Sequence, residues 1–330
     1  MFRDYKEEDR DHVIALLSQG KERGYAEEKK TLWRWEHVEN PFRAAVGGAG
    51  VCVVHDNKVI GYNGLMPIML KYGDQYIEGV WSFDTILSPE CRGKGYGGKL
   101  VDVVKQSGNV VLGLGISDAQ ESIMRKRGYH VNCDIEQFFF TNRLSGLRDF
   151  IKSLIQYVYV FKNYYRRLNK GLLESSVVDA SRAPKSIDDL WHQVKDGYTN
   201  IVVRDYKYIQ WKYGAYPLES LQLILVKEKG VLRGLGVFKK GERLSSLIDY
   251  VGPANDSQVM NLIIKTFRQE CAHSLLLSCI CSSSSLKASL LSFGFRRAKE
   301  KPRFYVYSNI DSGISPEKEW FVMGGDSDLV

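Results

Sequence analysis

The 330-residue sequence predicts an α/β chain of the α+β kind, made of two similar domains, each a mixed, largely antiparallel sheet flanked by helices. Three observations predict it. At roughly 150 residues per domain, the length corresponds to two cores rather than one. Short segments of alternating apolar residues follow one another around Gly, Asn and Pro turns, separated by single amphipathic helices. The second half also repeats landmarks of the first in the same order. Trp33-Arg34-Trp35 before Pro41 is matched by Trp211-Lys212-Tyr213 before Pro217, Val59-Ile60-Gly61 by Val231-Leu232-Arg233-Gly234, Pro89 by Pro253, and Gly128-Tyr129 by Gly294-Phe295.

Taken in order, residues 8 to 18 place Val13, Ile14, Leu16 and Leu17 on one face behind Asp9 and Asp11 and predict a first helix. Trp33 and Trp35 follow, before Asn40-Pro41. Val51 to Val54, a turn at Asp56-Asn57, and Val59-Ile60-Gly61 predict a hairpin that continues through Leu65 to Leu70. A strand over Val80 to Leu87 passes through Ser88-Pro89 into a glycine-rich loop, after which Leu100, Val101, Val103 and Val104 form a helical stripe. Val110 to Leu114 predicts another strand, followed by a helix ending near Gly128-Tyr129 and a last strand of this half through Phe138, Phe139 and Phe140.

The expected boundaries are 1–145 for the first domain, 146–186 for a connecting helix and Ser/Pro linker, and 187–330 for the second domain. The connecting stretch is basic and tyrosine-rich. Leu154 to Phe161 followed by Lys162, Arg166, Arg167 and Lys170 suits a helix packed between domains, and also a helix on a membrane surface. Tyr164 and Tyr165 within the basic run permit a nucleic-acid reading, but such runs are more often solvated faces. No nucleic-acid partner is expected.

With 44% hydrophobic and 26% charged residues, disorder is excluded. The net charge of +7 suits a polyanionic ligand, nucleic acid or a membrane surface alike. A charged start without an apolar segment, and no apolar run of about 18 residues, predict a cytoplasmic protein without stable membrane insertion. The six cysteines are scattered, and Cys279-Ile280-Cys281 lacks the two-residue spacer of a metal or redox pair, so reduced thiols and no metal are expected.

The segment Leu87-Ser88-Pro89-Glu90-Cys91-Arg92-Gly93-Lys94-Gly95-Tyr96-Gly97-Gly98-Lys99-Leu100 carries the chemistry. Glycines let a backbone approach an anion, and the open amides of a helix start can hold a pyrophosphate. A Walker loop is excluded because Gly95, not Ser or Thr, follows Lys94. Gly93-x-Gly95-x-x-Gly98, with Asp118 further on, fits the Rossmann fingerprint in letter, but five residues separate it from its strand.

Arg92-Gly93-Lys94-Gly95-Tyr96-Gly97, entered from a strand and Ser88-Pro89, resembles the signature of the GNAT superfamily, and the likeness extends over most of residues 1 to 140, including Gly128-Tyr129. It implies two tandem GNAT-like domains and an acyl-CoA donor. The pyrophosphate would lie on the backbone of Arg92, Gly93, Lys94, Gly95, Tyr96, Gly97 and Gly98, and the pantetheine arm would pair with Leu87. In such enzymes an amine attacks the thioester directly, which requires removal of an ammonium proton and a proton for the thiolate. The family's frequent tyrosine acid falls at Met124, so that role is vacant or moved. Asp84 is the candidate base or amine anchor, with a strand-end hydrogen bonder as the plainer reading; Glu36, His37 and Tyr96 are further alternatives.

After Pro253 the second half has neither the arginine nor the glycines, so it is read as a degenerate domain that helps form the acceptor site in a cleft. Trp33, Trp35, Tyr208 and Trp211 are expected either to bind the acceptor or to pack the core. The two-domain pattern, with Glu319-Trp320-Phe321 and Gly325-Asp326-Ser327-Asp328, resembles sugar N-acyltransferases of surface-polysaccharide pathways. That resemblance implies transfer of an acetyl or 3-hydroxybutanoyl group to a dTDP-linked amino-dideoxy sugar, as in O-antigen or lipopolysaccharide synthesis, by a monomer. Peptidoglycan-type aminoacyl transfer, another amine acetylation, and a non-enzymatic nucleotide-binding module remain as alternatives.

Overall fold

The computed structural model describes residues 1–43, 50–91, 93–132, 134–142, 172–310 and 319–327. Arg92 and the basic stretch at 154–170 therefore lie outside the described residues. The first half contains β1 (Phe2–Asp4), α1 (Arg10–Leu17), α2 (Tyr25–His37), β2 (Gly50–His55), β3 (Lys58–Tyr72), β4 (Gln75–Leu87), α3 (Tyr96–Val104), β5 (Val110–Leu114), α4 (Asp118–Lys126), β6 (His130–Asn132) and β7 (Glu136–Thr141). The second contains β8 (Leu173–Asp179), α5 (Ile187–Val194), β9 (Asn200–Val202), α6 (Tyr206–Ile209) continuing into a wider turn over Gln210–Gly214, β10 (Gln222–Glu228), β11 (Val231–Lys239), β12 (Leu244–Val251), α7 (Ser257–Glu270), β13 (Leu276–Cys281), α8 (Ser284–Ser292), β14 (Arg296–Arg297), β15 (Phe304–Ser308) and β16 (Trp320–Phe321).

Local signals set these elements. The β2–β3 hairpin turns on Asp56 and Asn57 at φ 47° and 58°, and the β10–β11 hairpin on Lys229 and Gly230 at 50° and 82°. Both pairs take the left-handed geometry that matches strand twist in a two-residue turn. Helix α4 starts at Ser117, whose hydroxyl accepts from Gln120 N, and closes at Gly128, where Tyr129 N reaches back to Met124 O.

Two sheets result, in the orders β1-β2-β3-β4-β5-β15-β6 and β14-β7-β13-β12-β11-β10-β8. The strand expected at Phe138 to Phe140 forms, but it belongs to the second sheet, between β13 and β14, while β15 from the far end of the chain fills the corresponding place between β5 and β6. Alternation along a strand says which faces are buried, not which sheet receives it. Leu173–Asp179, within the stretch read as a linker, forms the edge strand β8 against β10; its polar Glu-Ser-Ser sequence suits an edge.

One apolar core runs through both halves, joining Trp35, Met66 and Trp81 of the first to Trp211, Leu235 and Ile263 of the second. A second core lies under α3 and α4, and a third under α1 and α2. Among the described residues no helix is long and apolar enough to cross a membrane, and no group of three His, Cys, Asp or Glu side chains is placed to hold a metal.

Candidate functional site

Strands β4 and β5 pair in parallel only from Gly79–Val110 to Trp81–Leu112. Beyond that point β4 stays on β3 as far as Leu87, and β5 stays on β15, so the two strands part and leave a fork. A register shift against β3 between Tyr62 and Gly64 bends β4 here, and Asp84 sits in the bend with φ +48°. Such a conformation costs a non-glycine residue roughly 1–3 kcal/mol and is retained where surroundings enforce it.

At the end of β4 the chain turns through Ser88 and Pro89–Cys91 into α3. Gly93 and Gly95 have φ +76° and +82°, so any side chain there would be strained although space is open around both. Among the described residues no side chain caps α3, and Lys99 N is the first amide to reach back, to Gly95 O at 3.3 Å. The amides of Tyr96, Gly97 and Gly98 thus face out of the helix start, the arrangement that holds an anion. Lys94 is exposed beside them and Tyr96 is half-buried. Gly97 lies against the Leu87 side chain, and Arg127 covers Gly98, donating from Nε to Gly98 O at 2.8 Å.

On the other side of β4, Asp84 belongs to a buried charged group. Lys29 Nζ lies 2.6 Å from Asp84 Oδ2 and 2.7 Å from Glu36 Oε1. Burial opposes the Lys29 charge, but Glu36 and Asp84 outweigh it and hold the ammonium well above its usual range. His37 stacks on Phe83 and lies 3.4 Å from Tyr62 Oη, with its Nδ1 unpartnered. Burial first, and Lys29 second, push its imidazole down to about 3, so it is neutral. One cation thus bridges two carboxyl groups. Asp84, 13% exposed, is its most accessible member.

Asp84, Glu36 and His37 are therefore brought together, with Trp33 packed on the His37 ring at 4.4 Å. Trp35 and Trp211 lie elsewhere, buried and stacked at 5.6 Å in the joint between halves, and Tyr208 is buried against Trp211 and Tyr213. Sequence reasoning missed Lys29, although Lys29, Trp33 and Glu36 share one face of α2 by helical spacing. It also missed Tyr305, which β15 carries to the head of the fork, where Oη donates to Ser82 O at 3.3 Å. Its ring lies where a Cβ on the neighbouring Gly113 would stand. Met124 is buried under α4 in the apolar core.

The corresponding loop of the second half is built differently. The Asp256 carboxylate accepts from Gln258 N at 2.9 Å and Val259 N at 3.2 Å, filling the start of α7 with a negative charge of its own. A cavity of about 250 Å³ beside it is lined by residues that include Val194, Arg233, Pro253 and Asn255.

No protein-family model matches the sequence, and no curated protein matches it. Solved structures do. A GCN5-related N-acetyltransferase from Anabaena variabilis ATCC 29413 superposes with a TM-score of 0.65 at 14% identity, over 93% of this chain and 72% of that one. A GCN5-related N-acetyltransferase from Kribbella flavida gives 0.61 at 14% identity, over 93% and 70%. A conserved protein of unknown function from Enterococcus faecalis V583 gives 0.62 at 10%, over 93% and 72%. At these identities the likeness is one of fold: the chain has the mixed-sheet fold of GCN5-related N-acetyltransferases.

Proposed function

We propose that the chain is a CoA-dependent N-acyltransferase that binds acyl-CoA in the first fork and acylates an amine presented at Asp84. The observation that carries this reading is the open fork between β4 and β5 ending at an uncapped helix start. The amides of Gly93 to Gly98, with exposed Lys94, suit a pyrophosphate, and the unpaired edge of β4 up to Leu87 suits the amides of a pantetheine arm. Arg92 belongs to the same loop by sequence.

The amine forms a C–N bond at the thioester carbonyl, the C–S bond breaks, and the sulfur leaves with the electron pair. The Lys29–Glu36–Asp84 group holds the ammonium, which gives one proton to solvent water before attack, and we assign Asp84 as its anchor; the second proton, lost from nitrogen as the amide forms, replaces the one Tyr305 gives up. Tyr305, at the head of the fork, is assigned as the proton donor to the departing thiolate in place of the tyrosine absent at Met124. The finer reading makes the donor acetyl- or 3-hydroxybutanoyl-CoA and the acceptor a dTDP-linked amino sugar, with a cytoplasmic monomer as the working form. Support for that acceptor is the sequence likeness of the chain end; Trp320, Phe321 and Asp326 themselves are buried.

Isothermal titration with acetyl-CoA and 3-hydroxybutanoyl-CoA tests the donor site. Micromolar binding to the wild-type protein, lost in Gly95→Val and Gly97→Leu, is expected; no heat from any acyl-CoA would sink the reading. Release of free thiol on adding dTDP-amino sugars or simple amines then ranks the acceptors.

A further inference from the structure

Strand β11 carries a helix on each face. Gly234 faces α7, where an added Cβ would stand 2.3 Å from Val259, so Arg233, its neighbour along the strand, faces the side on which α5 packs. Helix α5 turns Leu190 and Val194, one turn apart and both buried, toward the sheet. The cavity of about 250 Å³ lies between these two residues, Arg233 and the loop Pro253–Asn255. Its rim is made of small residues: a Cβ on Gly197 would only just touch Ala254 Cβ, at 3.5 Å.

The polar groups around this cavity are donors without takers. Among the described residues Arg233 has one carboxylate neighbour, Glu228, at 3.7 Å from Nε, and the two side chains are 39% and 42% exposed. A pair so long and so open holds the guanidinium weakly. The Gln193 amide, also lining the cavity, makes no hydrogen bond among the described residues. Asn255 Oδ1 accepts from Ser285 Oγ at 2.7 Å, which leaves its Nδ2 to donate elsewhere. No carboxylate of the described residues lines the cavity: Asp256, next along the loop, is spent on Gln258 N and Val259 N at the start of α7. One cation and two amides thus converge above an apolar floor of Leu190, Val194 and Pro253. A few polar groups fixed over apolar walls are the usual makings of a small-molecule site.

We propose that this cavity binds a small carboxylic acid with an apolar body. The carboxylate accepts from the Arg233 guanidinium, a planar fork suited to two parallel hydrogen bonds, and from the Gln193 and Asn255 amides. The body lies on Leu190, Val194 and Pro253. A cavity of roughly 150 Å³ accepts the six heavy atoms of benzene, so one of about 250 Å³ admits about ten. A phosphate suits the place less well. The helix amides it would take are already held by Asp256, and an apolar floor adds nothing to its binding. The second half has thus lost the anion cradle of the first and offers a side-chain cation beside the same loop in its stead. The site shares no residue with the first fork, and the inference stands whether or not that fork binds acyl-CoA.

Isothermal titration of the full-length protein with phenylacetate and 4-methylvalerate tests it, with phenylacetamide and inorganic phosphate as comparisons. At least one of the two carboxylates is expected to bind with a Kd of about 0.1–1 mM, the range open to a ligand of about ten heavy atoms. Phenylacetamide, the same shape without the charge, should bind at least tenfold more weakly than phenylacetate, and phosphate more weakly than either carboxylate. Arg233→Gln, at a half-exposed position, keeps the thermal transition and weakens the carboxylates at least tenfold. Gly197→Leu adds a side chain where backbone geometry permits one and fills the cavity, abolishing binding; Arg233→Gln decides the matter if this second variant does not fold. No heat from either carboxylate up to about 20 mM, far above the expected Kd, would overturn the proposal. So would unchanged affinity in Arg233→Gln, equal binding of phenylacetamide, or phosphate as the tightest ligand. Acetyl-CoA titration on the same samples reads the first fork separately.

Discussion

Trp35 and Trp211, 176 residues apart, each donate an indole N–H to the other's backbone carbonyl, at 2.9 and 3.1 Å. This reciprocal pair lies in the apolar core that joins the two halves of the chain. Their offset of 176 residues equals that between Pro41 and Pro217. Both rings are buried, and Lys212 Nζ lies 4.9 Å over the Trp35 ring. Truncating either tryptophan to Ala opens a cavity and orphans a carbonyl, so a loss of about 3–5 kcal/mol is expected in urea unfolding. The double variant should lose less than the sum, because each single change already breaks the shared contact. Losses that add fully would show that the two do not act as one joint.

The exchange of β7 and β15 makes each sheet depend on the other half. A fragment of residues 1–142 lacks β15 and leaves β5 and β6 without their shared partner, while a fragment of 172–330 lacks β7 between β13 and β14. Each alone is expected to be aggregation-prone, since unpaired edges template further pairing, and co-expression should recover a soluble pair. Two independently folded fragments with sharp thermal transitions would contradict this.

His37 imposes an acid limit on stability. Its folded pKa of about 3 lies below the ordinary value of 6.5, so the folded state binds fewer protons than the unfolded one between those values. The stabilisation is full above pH 6.5 and declines as pH falls toward 3, by roughly 1.4 kcal/mol per pH unit from this group. His37→Phe should flatten the fall of unfolding free energy between pH 6 and 4, as followed by denaturant titration. An unchanged slope would place the acid sensitivity elsewhere, for example at Asp9, whose carboxyl the Arg3 guanidinium holds low.

What the sequence made legible was local. Strand, glycine loop and helix from Val80 to Val104 could be read because Pro89, Gly93 and Gly95 punctuate neighbouring residues, and the turn at Asp56-Asn57 needs only two side chains tolerant of positive φ. The exchange of β7 and β15 was hidden because partner choice is settled over more than a hundred residues of sequence separation, and Phe138 alternates equally well into either sheet. The charged group was half visible. Asp84, Glu36 and His37 were candidates, but the cation between the two carboxylates sits on a helix whose Lys-rich sequence resembles a solvated face. Tyr305 gave no local signal beyond the unexplained Gly113 opposite it.

Lys29 provides the sharpest separation of roles at the site. Lys29→Met leaves Glu36 and Asp84 buried without their shared cation, and breaking a buried pair in this way costs about 3–5 kcal/mol. Lys29→Met combined with Glu36→Gln and Asp84→Asn removes all three charges and should regain most of that loss in urea unfolding. The triple variant then isolates function from folding: acetyl-CoA should still titrate into the fork with affinity within about threefold, roughly 0.6 kcal/mol, while thiol release with an amine acceptor falls at least a hundredfold. Restoring Asp84 alone to the triple variant should recover part of the rate if its carboxylate anchors the ammonium. No recovery, with folding and acetyl-CoA binding intact, would move the anchor to Glu36.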